Sequence, residues 1–251
     1  MIIKGDASQL EWRSYLELSQ DSVGISEIRS GVDVHTDNQH RFQLPTRLIA
    51  KTFLFRWIYR GSAYAYSRDN DFSVVSPAPK FWQEIIDTAN GKYHELYSYQ
   101  ERIIQKAQRR EVIQIPSGRE FLFDLSKKKN GEFYWDVKKI TNYINQGFAA
   151  DLMMIARIAF KNRLTDYNPK DYKLFNTVHD DIEIDVANHP ELCYNICIDL
   201  EKVFEDIPKL FEKFYKKPFN IPLAGEMSFG PNLSDLKKFK KEKGIDQFYE
   251  N

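Results

Sequence analysis

The order of hydrophobic and polar residues predicts alternating strands and helices from the first residues onward. Residues 1–6 are predicted to form a short strand that ends at Asp6. Apolar residues then recur at helical spacing over 8–18, which predicts an amphipathic helix. Thr46 is a residue type that caps helix N-termini, and it precedes a predicted helix over 47–59. The carboxylate of Asp6 is therefore expected where a strand passes into a helix.

The same patterns continue toward the C-terminus, whereas residues 33–46 are polar and mixed and carry no predicted element. Further helices are expected at 81–89, 93–110, 149–160, 191–214 and 236–243. The helix over 191–214 is expected to kink or break at Pro208, and the helix over 236–243 is rich in lysine. Strands are expected as a hairpin over 112–125, as a second hairpin that turns near Asp180, and as a last strand over 222–227.

The amino-acid composition is that of a folded protein, and its net charge does not indicate what kind of partner the chain binds. The 251 residues include 18 Phe, 14 Tyr and 4 Trp, which is enough apolar material for one large domain or two small ones. Lys and Arg together number 36, as do Asp and Glu. Because no net positive charge exists, any nucleic-acid binding has to depend on local patches.

The cysteines and the hydropathy pattern indicate a cellular protein without a membrane span. Cys193 and Cys197 lie in a predicted helix without the further Cys or His ligands of a structural zinc site. We interpret them as reduced packing residues. No apolar run reaches about 18 residues and no secretion signal begins the chain, so we expect a soluble, cytoplasmic protein with no membrane partner.

Candidate chemistry first appears in the helix over 47–59. Arg47, Lys51, Phe55 and Tyr59 follow one another at steps of four, so they form a stripe that is cationic in its first half and aromatic in its second. Such a stripe suits a nucleoside triphosphate, although an ordinary cationic pair beside an aromatic core contact explains it equally well. Single acids such as Asp6 are more often helix caps or surface groups.

Five segments, taken in order, resemble motifs of the family A DNA polymerases, the DNA polymerase I-like replicases. They are 6–13 (DASQLEWR), 33–36 (DVHT), 47–59 (RLIAKTFLFRWIY), 142–151 (NYINQGFAAD) and 178–181 (VHDD). Each segment alone is weakly specific, but five in the family's order are a strong indication. The match extends to about Asn232. The short interval before Arg47 is most similar to the phage replicative branch of the family.

The resemblance implies an α+β fold with an antiparallel palm sheet, flanking helices and a mostly helical fingers insertion. The strands that carry Asp6, Asp180 and Pro222 would form the sheet. The implied domains are palm over 1–27 with the first catalytic motif, fingers over 28–136, and palm over 137–251 with the last motif and the C-terminal strand.

The implied activity is template-directed DNA synthesis, in which deoxynucleotides pass from dNTPs to a primer 3′-hydroxyl. Two Mg²⁺ ions would assist this phosphoryl transfer. The resemblance implies that Asp6 and Asp180 are the catalytic metal ligands and that the carbonyl of Ala7 is a third ligand. Asp181 stands where the family usually has Glu, and the shorter acid makes it a secondary candidate.

Two further groups of residues follow from the resemblance. The dNTP would contact Gln9, Glu11, His35, Arg47, Lys51, Phe55 and Tyr59. The primer-template DNA would contact Arg13, Lys138, Asn142, Gln146 and His179. Within the first group, Glu11 would fill the space of a ribose 2′-hydroxyl, and Phe55 would discriminate against 3′-deoxy chain terminators. Without the motifs, the DNA-binding group would be interpreted as ordinary surface polarity.

The chain also departs from the family. Arg56 and Arg60 stand where glycine is usual in the fingers helix. Family members carry a thumb, the first part of the palm and often an exonuclease before the first motif, so we expect a second polypeptide that completes a split polymerase. Two alternatives stay open: a catalytically silent fragment that binds DNA or a replication partner, and a metal-dependent nuclease, which would not need the stripe.

Overall fold

The computed structural model of the chain describes residues 1–249, and these form two compact units. One unit contains residues 1–10 and the segment from 149 onward, and the other contains residues 11–148. The strands are β1 (Ile2–Ala7), β2 (Ile113–Gln114), β3 (Glu120–Phe121), β4 (Ser126–Lys127), β5 (Phe133–Tyr134), β6 (Tyr172–Val178), β7 (Asp181–Val186), β8 (Gly225–Gly230) and β9 (Lys237–Lys238).

Ten α-helices accompany these strands in the described part of the chain. They are α1 (Leu10–Ser19), α2 (Ser22–Arg29), α3 (Val34–Arg41), α4 (Arg47–Trp57), α5 (Ala63–Arg68), α6 (Asn70–Ser73), α7 (Pro79–Lys92), α8 (His94–Gln108), α9 (Val137–Arg163) and α10 (Pro190–Tyr215). Within residues 1–249, no helix has both the length and the apolar character that a membrane crossing requires.

The first unit is built on a five-stranded antiparallel sheet in the order β6-β7-β1-β8-β9. β1 is central and pairs with β7 on one side and β8 on the other. Side chains alternate between the two faces of a strand, so Lys4 and Asp6 share one face of β1. The other face packs against α10: a Cβ atom at Gly5 would lie 2.5 Å from Leu200 Cδ2. The α+β fold and its antiparallel sheet are therefore confirmed.

The second unit is mostly helical and contains an aromatic core. Phe53, Tyr66, Phe72 and Trp82 are each at most 1% exposed, and their rings contact one another. The predicted start of α4 is confirmed, because the Thr46 side chain accepts a hydrogen bond from the Ile49 N–H at 3.2 Å. The hairpin of β2 and β3 is also confirmed.

The predicted helix over 149–160 is wrong at its N-terminus, because α9 already begins at Val137 and contains 27 residues. Asp136 accepts a hydrogen bond from the Lys139 N–H at 3.1 Å and so caps the first turn. Ile140, Ile144 and Phe148 then follow at steps of four and are each at most 1% exposed. This buried stripe keeps the helix continuous across Gly147.

Three smaller expectations also differ from the structure. Residues 33–46 contain α3, whose N-terminus is capped by Asp33 through the N–H groups of His35 and Thr36. The segment 236–243 is not an α-helix, because β9 pairs with β8 before a single 3-10 turn. α10 continues through Pro208, so the helix does not break there.

The interpretation of the two cysteines agrees with the structure. Cys193 and Cys197 are free thiols on α10, and both are fully buried. Burial raises the pKa of both thiols above the ordinary value. They therefore act as apolar packing groups in the helix that supports the sheet.

Candidate active site

Three carboxylates meet at one end of the sheet in the first unit. Asp6 lies near the end of β1, and the antiparallel register places it opposite Asp181, the first residue of β7. Asp180 belongs to the tight turn between β6 and β7, and its carbonyl accepts a hydrogen bond from the Ala7 N–H at 2.9 Å. One oxygen from each carboxylate lies within 4.8 Å of the others. The two predicted metal ligands, remote in sequence, are thus adjacent in space.

The electrostatics of this acid cluster, defined as Asp6, Asp180 and Asp181, favour a bound cation. Burial raises the pKa of Asp6 to about 6, and the charges of Asp180 and Asp181 add to the effect. Asp181 Oδ1 is buried and has no hydrogen-bond partner among the described residues. Carboxylate oxygens are the ligands that Mg²⁺ prefers, so this donor set fits a divalent cation that would relieve the repulsion.

The remaining site residues of the first unit flank the acid cluster in sequence. Ala7 is 4% exposed at the end of β1. Gln9 has a left-handed backbone with φ 54°, and its side-chain Oε1 is buried without a hydrogen-bond partner in the described chain. His179 is exposed in the β6–β7 turn and has φ 52°. A non-glycine residue in this region of φ indicates a conformation imposed by the turn.

The cationic and aromatic stripe lies on the accessible side of α4 in the second unit. Ala50, Phe53, Leu54 and Trp57 face the core, whereas Arg47 and Lys51 are exposed and Phe55 is half-buried. α4 ends at Trp57, so Tyr59 lies just beyond the helix and not on its last turn. The order of Arg47, Lys51 and Phe55 along one side of α4 is therefore present, whereas Tyr59 follows after the helix has ended.

His35 of α3 lies beside this stripe. Its ring centroid is 6.1 Å from that of Phe55, its side chain is 3% exposed, and Nδ1 has no hydrogen-bond partner among residues 1–249. Burial, together with the positive charges of Arg47 and Lys51, lowers the pKa of His35 to about 4. His35 is therefore neutral near pH 7.

Asp33 is a site residue that the sequence analysis missed. Its two carboxylate oxygens accept hydrogen bonds from Arg47, one from Nε at 2.7 Å and one from Nη2 at 3.0 Å. The Arg47 hydrogen bond holds the pKa of Asp33 well below its ordinary value. Because Asp33 also caps α3, this bidentate pair fixes the guanidinium relative to α3. The DVHT segment contained the aspartate, but its partner was not evident from sequence.

A buried asparagine organises another group of predicted residues in the second unit. Asn145 Nδ2 donates to the Glu11 carbonyl at 3.0 Å and to the Tyr59 hydroxyl at 3.2 Å, and Asn145 Oδ1 accepts from Ser14 Oγ at 2.7 Å. Gln146 Nε2 donates to Glu11 Oε1 at 3.4 Å. Glu11, Tyr59 and Gln146 are therefore held together, and burial raises the pKa of Tyr59.

A cleft of about 670 Å³ opens beside this group. It is lined by Glu11, Thr52, Phe55, Arg56, Tyr59, Gly61, Ala65, Tyr66, Arg68, Asp69 and Lys138. Lys138, Asn142 and Gln146 follow at steps of four on α9, so they share one side of that helix. Arg13 is half-buried, its pKa is lowered by burial, and neither it nor Asn142 lines the cleft.

The two arginines that replace family glycines make structural contacts. Arg56 donates to Asp69 at 2.8 Å, and its guanidinium lies 4.8 Å from the centroid of Phe72. Arg60 pairs with Glu101 and lies 5.0 Å from the centroid of Tyr97. Both arginines therefore connect the segment around α4 to later helices of the second unit, as ion pairs and cation–π contacts.

Comparison with known proteins identifies the family that these features define. Residues 1–235 match the family described as DNA polymerase family A, and the chain belongs to this family. The chain is 22% identical over 246 residues to DNA polymerase I of Geobacillus stearothermophilus. The aligned region covers 94% of this chain and 26% of that protein. The chain is 26% identical over 196 residues to DNA polymerase I of Lactococcus lactis subsp. cremoris, and this aligned region covers 74% of this chain and 22% of that protein.

A solved structure is similar in fold. It is described as the POL domain of Pol1 from M. smegmatis in complex with DNA primer-template and dNTP, with a TM-score of 0.69 at 18% identity. The similarity covers 91% of this chain and 39% of that one. The chain thus spans about a quarter of the length of the curated relatives named above.

The low pKa of His35 predicts a loss of stability in mild acid. Between its ordinary value of 6.5 and about 4, the unfolded chain binds a proton that the folded chain does not. We expect the free energy of unfolding to fall by about 1–2 kcal/mol from pH 7 to pH 5 through this group. This change in the free energy of unfolding is measured by urea unfolding of wild type and of His35→Gln at pH 7 and at pH 5. An equal pH dependence of the two proteins would contradict the assignment.

Proposed function

We propose that this chain carries out template-directed DNA synthesis, adding deoxynucleotides from dNTPs to the 3′-hydroxyl of a primer. The observation that supports this most is the meeting of Asp6 and Asp180, from two remote segments, at one end of the sheet of a family A polymerase. Phosphoryl transfer requires positioning and charge neutralisation more than covalent chemistry from protein. The carboxylate pair at the end of the sheet could hold metal ions that neutralise charge, and the cationic side of α4 could position the triphosphate.

The proposed metal ligands are Asp6 and Asp180, with the carbonyl of Ala7 as a third donor and Asp181 as a secondary one. Two Mg²⁺ ions held there would supply activation of the primer hydroxyl and neutralisation of the triphosphate. The two carboxylates would hold the ions in place. The β1–β7 register and the hydrogen bond between Ala7 and Asp180 fix the backbone on which those ligands are mounted.

The incoming dNTP is proposed to contact the stripe and its neighbours. Arg47 and Lys51 would bind phosphate oxygens as cations, and neutral His35 would contribute a hydrogen bond without a charge. Phe55 and Tyr59 would pack on sugar and base. The other two proposed dNTP contacts are Gln9 and Glu11. Glu11, held in place through Asn145 and Gln146, would exclude a ribose 2′-hydroxyl.

Primer-template DNA is proposed to contact Arg13, Lys138, Asn142, Gln146 and His179. The side of α9 that carries Lys138, Asn142 and Gln146 offers one cation and two amides at helical spacing. Such groups suit phosphate oxygens and the acceptors of the minor groove, which are similar for all base pairs. We therefore expect these residues to bind DNA without sequence preference.

The finer parts of this assignment are proposals as well. We propose palm at 1–27 and 137–251, fingers at 28–136, a relationship to the phage replicative branch, and a cytoplasmic location. We also propose that a second polypeptide supplies the thumb, the remaining palm and an exonuclease. In support of a partner, β6 is an edge strand of the sheet, and Phe175 and Val178 on it are 42% and 39% exposed.

Primer extension tests the proposed function. The chain is assayed with primed template, dNTPs and Mg²⁺, alone and together with a polypeptide that carries the thumb and the remaining palm. We expect template-complementary extension that requires Mg²⁺ and increases when the second polypeptide is added. Shortening of the primer would indicate a nuclease, and DNA binding without extension would indicate a catalytically silent fragment. Full extension by a stable monomer of this chain alone would contradict the proposal that a second polypeptide is needed.

A further inference from the structure

Lys4 is a cation beside the acid cluster that the family motifs do not include. It lies two residues before Asp6 on β1, so both side chains are on the same face of the sheet. Its Nζ lies 2.7 Å from Asp181 Oδ2. The Lys4 side chain is 29% exposed and that of Asp181 is 15% exposed, so water screens this pair only in part.

A second ion pair on the same sheet provides a comparison. Lys238 of β9 lies 2.6 Å from Glu226 of β8, and the two side chains are 63% and 59% exposed. In the register, Glu226 is opposite Asp6, and Lys238 is opposite Ser228, which pairs with Lys4. The two lysines therefore share the face and differ mainly in how far their ion pairs are buried. An exposed pair of this kind contributes little.

We propose that Lys4 is a positioning residue, which holds Asp181 by one oxygen and neutralises it so that Asp6 and Asp180 remain the carboxylates that bind the divalent ion. This inference depends on the proposed metal site. Three carboxylates with oxygens within 4.8 Å of one another repel strongly. Lys4 reduces the charge of the group from three negative charges to two, and it does so on the acid that replaces the family's glutamate.

The contacts of Asp181 support this arrangement. Lys4 Nζ lies 2.7 Å from one of its carboxylate oxygens, Oδ2. The remaining oxygen, Asp181 Oδ1, is buried without a partner in the described part of the chain, so Asp181 depends on Lys4 for its charge compensation. Asp181 is thereby fixed in place before any divalent ion binds.

Mn²⁺ binding to the purified protein tests the inference without an activity assay. Dissociation constants are measured by electron paramagnetic resonance for wild type, Lys4→Gln, Lys4→Arg and Lys238→Gln. Loss of the lysine charge frees Asp181 and should tighten Mn²⁺ binding about tenfold in Lys4→Gln. Lys4→Arg keeps the charge and should remain within about twofold of wild type, as should the matched control Lys238→Gln. Unchanged or weaker binding by folded Lys4→Gln would overturn the inference.

Asp181→Asn tests the same arrangement from the other partner, and it remains informative if Lys4→Gln does not fold. We expect Asp181→Asn to weaken Mn²⁺ binding at most about threefold, against at least about thirtyfold for Asp180→Asn. Equal losses would make Asp181 a full ligand and would overturn the proposal. If Asp6→Asn and Asp180→Asn both bind Mn²⁺ like wild type, the proposed metal site itself is wrong, which is a different result.

Discussion

Replacement of Asp180 by asparagine is expected to lower the rate of primer extension by about 10³-fold or more, because it removes one of the two proposed metal-binding carboxylates from the acid cluster. Asparagine keeps the size of the side chain but lacks the negative charge, so the cation that offsets the repulsion among the acids is held more weakly. The measurement is single-nucleotide extension by the complete polymerase at saturating dNTP and Mg²⁺.

Asp185→Asn is the matched control for this prediction. Asp185 lies on β7 like Asp181, is 58% exposed, and pairs only loosely with the N-terminal amine at 3.5 Å. Its replacement should leave extension within about twofold of wild type. Thermal unfolding of both variants separates loss of activity from loss of the fold. Extension by Asp180→Asn at the wild-type rate would show that this carboxylate does not bind the catalytic metal.

Local sequence features predicted those parts of the structure that depend on neighbouring residues. The cap at Thr46 was predicted because it needs only the N–H three residues later. The β6–β7 hairpin followed from alternation on the two sides of a two-residue turn. The closeness of Asp6 and Asp180, in contrast, was expected only from the resemblance to the polymerase family. Pattern alone predicts the pairing of strands joined by a tight turn, but not which strands remote in sequence become neighbours in a sheet.

Contacts between remote residues explain what the sequence did not predict. The first turns of α9 include Asn142, Asn145 and Gly147, which have low helix propensity, and the predicted helix began only after them. Tertiary contacts override this: Asn145 is buried among three hydrogen bonds, and a Cβ atom at Gly147 would lie 2.6 Å from Phe121. The pairing of Asp33 with Arg47 likewise became evident only in the structure.

Replacement of Lys51 by alanine is expected to lower the efficiency of dNTP use by about 10²–10³-fold while DNA affinity changes by less than about threefold. Lys51 is exposed on the side of α4 that also carries Arg47 and Phe55, and its charge contributes to the lowered pKa of His35. In its proposed role, the Lys51 cation would stabilise negative charge on the triphosphate during transfer. The effect should therefore appear in kcat/KM for the nucleotide.

Lys80→Ala provides the control, because Lys80 is an exposed lysine of α7 outside the stripe. Its removal changes the net charge by the same amount and should leave both dNTP use and DNA binding within about twofold. Steady-state extension kinetics and equilibrium binding of labelled primer-template are measured for both variants. Equal losses of dNTP use and DNA affinity in Lys51→Ala would make α4 a DNA-binding helix. The neutral His35 beside it would then have no triphosphate to bind.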